Sequence, residues 1–279
     1  MEEARLYAES ARGAGRRLRA SSFAPSARPP DLRAQGVGMT NRMSDRIGPT
    51  RVLAFDVNET LLDLSALDAD FEAVFGNPAL RGQWFSQMLQ LAFVGAITDR
   101  YVEFTSAQHA ALKMVARRER IELSDDAARR IVDGMRSLPP YAEVAAALDR
   151  LRAGGLTLVA LTNSPSDVAH DQLRNAGLEE RFHAILSADQ VRALKPRREP
   201  YELVARTFEV PLLQVLLIAA HSWDVSGALA AGCRAAFVAR PGMVLSPLGE
   251  QPDIIGRDLV EIADRILEAP LPAAGAGSE

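Results

Sequence analysis

Five short apolar runs govern what this chain can become: Arg51–Asp56 (RVLAFD), Leu156–Leu161 (LTLVAL), Ala184–Ser187 (AILS), Val215–Ala220 (VLLIAA) and Ala235–Ala239 (AAFVA). Each has the length of a strand and is nearly continuous in apolar residues, as strands covered on both faces are. Between the later runs, Ala142–Arg152, Ser166–Asn175 and Glu199–Phe208 repeat apolar residues at three- and four-residue spacing, the period of an amphipathic helix. Strand and helix alternating in this way specify an α/β fold with a Rossmann-like parallel sheet.

One connection departs from the alternation. The stretch joining the first run to the second reads as four helices, Asp68–Phe75, Gln83–Gly95, Asp99–Arg117 and Ser124–Leu138, with Asp99 and Ser124 as N-caps. The expected organisation is therefore a core at residues 50–64 and 140–270 with an inserted all-helical, four-helix cap at residues 65–139. Ligands of such sheets bind at the carboxyl ends of the strands, so the cap is expected to cover the site.

The ends of the chain have another character. Residues 1–49 contain nine arginines and fewer acids, are rich in Ala, Ser, Gly and Pro, and show no sustained period. They are expected to form a disordered basic extension, and residues 271–279 a disordered tail. No apolar core of a secretory signal follows the arginines, and a transit peptide or nucleic-acid tail is less favoured than an over-long N-terminus. Met39 and Met43 both stand just ahead of the first strand, so residues 1–42 are expected to be dispensable. The single Cys233 excludes a disulfide framework and points to a cytoplasmic protein. No apolar run reaches the roughly 18 residues of a membrane helix, so neither membrane nor nucleic acid is an expected partner.

Four strand ends then read as one candidate site. The first run closes in Phe55-Asp56-Val57-Asn58-Glu59-Thr60-Leu61-Leu62-Asp63, where Asp56 either caps the following turn or faces a ligand. Thr162-Asn163-Ser164-Pro165 supplies hydroxyl and amide donors for an anion, or an ordinary polar turn. After the third run come Lys195-Pro196 and Tyr201, and the fourth ends in His221-Ser222-Trp223-Asp224. Thirty arginines stand against two lysines, Lys113 and Lys195. A lysine kept against that bias points to a need for a compact point charge, which the planar guanidinium supplies poorly, although chance also accounts for a single residue.

The order FDVNETLLD, LTNSP, KPRREPYEL, AAHSWDVSGA resembles the haloacid dehalogenase superfamily, specifically its type II (S)-2-haloacid dehalogenase branch, over about residues 50–268. The resemblance implies a hydrolase of carbon–halide bonds. Asp56, positioned by Thr60, would displace halide from C2 of a short 2-haloalkanoic acid with inversion, and water would hydrolyse the resulting ester at the aspartate carbonyl carbon to a 2-hydroxy acid. Thr162 and Asn163 would bind the substrate carboxylate or support the nucleophile. Lys195 would keep Asp56 ionised and, with Asp224, position the hydrolytic water. Tyr201 would stand behind these groups, and Trp223 would belong to the pocket wall. No cofactor is expected, and a homodimer is plausible because dimers are common in the family.

Most of the superfamily are phosphatases, and Asn58 separates the two chemistries. The phosphatases place a second Asp two residues after the nucleophile to protonate an alkoxide leaving group, which an amide cannot do. A halide leaves without a proton. At the fourth strand end Asp224 alone stands where the phosphatases usually offer a pair of acids for Mg²⁺, although two carboxylates and a backbone carbonyl remain a weak set of ligands.

Four positions depart from the type II pattern. Counted back from Arg100-Tyr101-x-x-Phe104, the cap arginine that contacts substrate and halide falls at Phe85, after Trp84; the asparagine that contacts the hydrolytic water is His221; and a serine two residues earlier is Ala219. The usual tyrosine after the nucleophile is Asn58 itself. His221 and the Trp223 indole are expected to take over hydrogen bonding to halide or water, with Phe85, Leu89 and Phe104 as a tight apolar wall. His221 could instead be a strand-end histidine bonded to backbone, and Arg81, one turn before Phe85, could replace the missing cation. The alternatives to dehalogenation are a Mg²⁺-dependent phosphatase and a relative that binds small acids without dehalogenating them.

Overall fold

The computed structural model describes residues 50–268; the expected extension at 1–49 and tail at 271–279 lie outside them. Six parallel strands, β1 Val52–Phe55, β2 Thr157–Thr162, β3 Ala184–Ser187, β4 Val215–Ala219, β5 Arg234–Val238 and β6 Ile254–Gly256, form one sheet in the order β3-β2-β1-β4-β5-β6. Successive side chains of β1 point to opposite faces, Leu53 and Phe55 into one buried apolar cluster and Val52 and Ala54 into the other. Both faces are thus dry, which is why the strands read as continuous apolar runs.

The α/β architecture is Rossmann-like with a helical insertion. Between β1 and β2 lie α1 Asp68–Phe75, α2 Leu80–Ile97, α3 Phe104–Glu119 and α4 Asp125–Gly134, followed by α5 Val144–Ala153. The helices α6 Ser166–Asn175, α7 Arg198–Thr207 and α8 Ser222–Ala231 make the later crossovers, and α9 Leu259–Glu268 closes the described chain. Trp84 anchors the inserted helices: it is fully buried, packs against Phe71, and donates from Nε1 to the Gln108 carbonyl at 3.0 Å. Apolar residues of α1–α4 continue into the same cluster as Leu53 and Phe55, so the insertion shares one continuous apolar core with that side of the sheet.

One helix boundary differs from expectation. Ser124 does cap α4, accepting from the Ala127 amide at 3.2 Å. Asp99, however, is not the N-cap of α3. It sits at φ 52 just beyond α2, and α3 begins only at Phe104, where the Glu103 carboxylate accepts from the amides of Thr105 and Ser106 at 2.7 Å each. A left-handed residue closes a helix rather than opening one, and Asp99 instead pairs with Arg197 at 2.6 Å. The strand β6 was not anticipated at all.

In this strand order β1 lies between β2 and β4, and the chain reverses its direction of build at the β1–β4 boundary. Carboxyl strand ends at such a switch point form the natural ligand crevice. The residues after β1, β2 and β4 meet there.

Candidate active site

Asp56 follows the last residue of β1 and is buried; its amide donates to the Ile218 carbonyl of neighbouring β4 at 3.0 Å, which sets the carboxylate at the sheet's carboxyl edge. The turn after it folds back on itself, with the Leu61 and Leu62 amides donating to the Val57 carbonyl. That turn returns the Thr60 hydroxyl to Asp56 Oδ2 at 2.7 Å, while Thr60 Oγ1 accepts from the Ala220 amide at 2.9 Å. Arg240 holds the turn from behind by donating twice to the Thr60 carbonyl, at 2.8 and 3.2 Å, while pairing with Glu143 and covering the Tyr141 ring.

Lys195 is buried and its Nζ donates to Asp56 Oδ1 at 2.9 Å, Asp224 Oδ2 at 2.6 Å and the Leu161 carbonyl at 2.9 Å. Burial alone would push this ammonium toward neutrality, but Asp224 and Asp56 together raise its pKa above the usual lysine value. Asp224, at the start of α8, is fully buried and accepts from the Tyr201 hydroxyl at 2.6 Å.

His221 lies between two carboxylates. Nδ1 is 3.1 Å from Asp56 Oδ2 and Nε2 is 3.0 Å from Glu59 Oε2. Its ring stacks between Phe85, 5.6 Å away at 16°, and Trp223, 5.3 Å away at 30°. Burial disfavours the imidazolium, yet hydrogen bonds to Asp56 and Glu59 and the charges of both overcome this and lift the pKa to about 9. The Asp56 carboxyl responds in the opposite sense. Burial would raise it, but the Lys195 charge and the hydrogen bond to His221 hold it well below the usual carboxylate range.

These groups enclose a cavity of about 10 Å³, close to the space one water needs. Its walls are Asp56, Asn58, Phe85, Leu89, Phe104, Thr162, Asn163, Lys195, His221 and Trp223. Thr60, Tyr201 and Asp224 stand behind this surface and hold Asp56 and Lys195 from the rear. Phe85, Leu89, His221 and Trp223 also line an outer pocket of about 380 Å³, so they partition it from the nucleophile cavity.

Several side chains have contacts the sequence did not foretell. Thr162 Oγ1 accepts from the Ser164 amide, and Asn163 bonds the Lys195 backbone. Asn58 Oδ1 accepts from Gln172 at 2.9 Å. Arg81 does not turn into the cavity; it pairs with Asp68 at 2.5 Å and reaches Glu59 at 3.7 Å. His221 bonds carboxylates and not the backbone group expected of a structural histidine. Ala219 is a buried strand residue. Glu59 and Arg240 were missed. Only the position of Glu59 beside Thr60 hinted at it, since its part depends on a left-handed backbone at φ 58; Arg240 had no signal among thirty arginines.

A model of the haloacid dehalogenase-like hydrolases matches residues 50–232. The chain belongs to that family. Among curated members, Haloacetate dehalogenase H-2 of Moraxella sp. (strain B) is 31% identical over 203 residues, covering 72% of this chain and 91% of the relative. (S)-2-haloacid dehalogenase 2 of Pseudomonas sp. (strain CBS-3) is 28% identical over 214 residues, covering 76% of this chain and 93% of that one. The fold matches a solved L-2-haloacid dehalogenase at 26% identity, with a TM-score of 0.75 over 78% of this chain and 99% of the other. It also matches the L-2-haloacid dehalogenase of Xanthobacter autotrophicus with chloropropionic acid covalently bound, at a TM-score of 0.74 and 23% identity, over 79% of this chain and 99% of that one. Family members are hydrolases, and among the described residues no helix is long and apolar enough to cross a membrane.

Proposed function

We propose that this protein hydrolyses the carbon–halogen bond of short 2-haloalkanoic acids through an ester on Asp56, releasing halide and a 2-hydroxy acid. The observation that carries the proposal is an ionised carboxylate on the wall of a small cavity, with an amide, Asn58, two residues further along the chain. Oδ2 of Asp56 already accepts from Thr60 and His221, whereas Oδ1 accepts only from Lys195. Oδ1 therefore keeps a lone pair for displacement at C2, from the side opposite the halide. Asn58 has no proton to give an alkoxide and is committed to Gln172. Halide needs none.

Phe85 leaves no cap cation beside the leaving group. In its place stands Trp223 Nε1, an N–H buried without a hydrogen-bond partner among the described residues. A buried orphan donor is costly, and a departing anion would satisfy it. Thr162 and Asn163 lie on the wall where the substrate carboxylate would rest. Both carboxylates that Mg²⁺ would require, those of Asp56 and Asp224, already share the Lys195 ammonium, so a metal would have to displace a buried charge; the mechanism uses no metal. The same proposal takes the protein as a cytoplasmic enzyme with a small-molecule substrate and no nucleic-acid partner, and a homodimer as its assembly.

The test is halide release from chloroacetate, fluoroacetate and both 2-chloropropionate enantiomers, each with EDTA and with Mg²⁺. EDTA-resistant release is expected. No halide from any of them, with Mg²⁺-dependent turnover of a phosphate ester, overturns the proposal. A single turnover in ¹⁸O-water should leave the label in Asp56; label only in the product refutes the ester.

A further inference from the structure

We propose that His221 is the general base of ester hydrolysis and that Glu59 is the residue that positions it, so that Asp56, His221 and Glu59 act as a carboxylate–imidazole–carboxylate triad. The inference rests on the Asp56 ester proposed above and adds who activates the water. Its foundation is geometric: the two ring nitrogens each face one carboxylate, at 3.1 Å to Asp56 and 3.0 Å to Glu59, and the ring plane is clamped between Phe85 and Trp223. A nucleophile, a base within reach of it and an acid orienting the base is the arrangement on which covalent hydrolysis depends.

The competing bases are occupied. Lys195 is an ammonium shared by two carboxylates and has no lone pair. Asp224 is fully buried, with one oxygen on Lys195 and the other on Tyr201. Thr162, Asn163 and Asn58 are not bases at neutral pH. His221 is thus the one wall residue with a proton-accepting atom that reaches Asp56.

Formation of the ester is what would arm it. Alkylation of Asp56 erases one of the two negative charges that stabilise the imidazolium, while Glu59 keeps the Nε2 proton and so leaves the lone pair on Nδ1, beside the ester. The other charges near the ring act at one remove, Lys195 through Asp56 and Arg81 through Glu59. Once His221 has lost its proton to solvent, water adds its oxygen to the Asp56 carbonyl carbon and gives a proton to Nδ1. The bond from that carbon to the hydroxy-acid oxygen breaks, and Nδ1 returns the proton to that oxygen. The carboxylic acid left on Asp56 then ionises to Nδ1 and restores the resting pair. One halide and one proton leave per cycle, and one water is consumed.

Rapid-quench turnover of chloroacetate, with intact-mass detection of the Asp56 ester, tests the triad on His221→Asn, His221→Gln and Glu59→Gln. Both His221 variants should release about one halide per site at once and then hydrolyse the ester about 10² to 10⁴ times more slowly, the usual worth of a general base. Wild-type hydrolysis should rise with pH as His221 loses its proton. In Glu59→Gln that limb should move to lower pH, because the imidazolium has lost its remaining anionic partner. An unchanged limb, or hydrolysis that falls as His221 deprotonates, overturns the triad. So does loss of the halide burst in a folded His221 variant, which would assign His221 to the first step. If His221→Asn does not fold, His221→Gln and the Glu59→Gln profile decide. Wild type that forms ester, with variants that clear it at the wild-type rate, sinks the triad alone; wild type that forms no ester sinks the dehalogenation proposal beneath it.

Discussion

Asn163 grips the backbone of Lys195 from both sides: its Oδ1 accepts from the Lys195 amide at 2.8 Å and its Nδ2 donates to the Lys195 carbonyl at 3.3 Å. The amide side chain thereby ties the end of β2 to the loop that presents the ammonium. Asn163→Ala should lower stability by about 1–3 kcal/mol, since both backbone groups are left buried without these partners. It should also slow turnover, read from a thermal melt and a halide assay. Asn163→Asp keeps the acceptor and should recover part of the stability; a melt as low as that of Asn163→Ala would contradict this account.

Removing the charge that Asn163 positions should do more. Lys195→Met leaves Asp56 and Asp224 as neighbouring buried carboxylates with no counter-charge. The loss is expected to reach about 3–5 kcal/mol, the usual cost of breaking a buried pair from one side, with turnover abolished. Acid should restore part of that stability, because one of the two carboxyls can then be protonated. A variant as stable as wild type at pH 7 would contradict the ammonium's role as the counter-charge of this pair.

His221 makes stability depend on pH in the alkaline direction. Its pKa is raised from 6.5 in the unfolded chain to about 9 in the fold, so its contribution is fully present below about 6.5 and is lost as pH rises through about 9. That span corresponds to about 3 kcal/mol. Urea denaturation at several pH values should show wild type losing stability across the window and His221→Asn much flatter. Equal slopes would remove the imidazolium from the folded state.

Gly227 on α8 is where backbone packing and chemistry meet. A Cβ there would lie 2.5 Å from Pro196 Cβ and 2.6 Å from the Tyr201 hydroxyl oxygen. Gly227→Ala should therefore cost about 1–3 kcal/mol by overpacking and move Tyr201 off Asp224, reducing turnover. A melting temperature and rate equal to wild type would mean the clash relaxes without cost.

How much of this was legible before the structure follows from what each residue's neighbours demand. The five long strands announced themselves because both faces of the sheet are buried, whereas β6 spans only Ile254–Gly256 and is too short to carry a pattern. Asp56 and Lys195 stood out by position and by composition. Thr162 and Asn163 lie at the cavity wall, yet they hold backbone groups, a distinction that depends on loop conformation and leaves no trace in residue type. Glu59 was hidden for the same reason: only a left-handed turn directs it back toward His221.

Thr60 apart, the active carboxylate is held by partners remote along the chain. Lys195 meets Asp56 across 139 residues, His221 meets it across 165, and Arg240 meets Thr60 across 180. No local segment contains a working fragment of the machinery, and each of these loops must close before its contact forms. Turnover in this protein is therefore a reporter of long-range topology: on refolding, activity should return with the last sheet pairing and not with helical content, which forms earlier from local contacts.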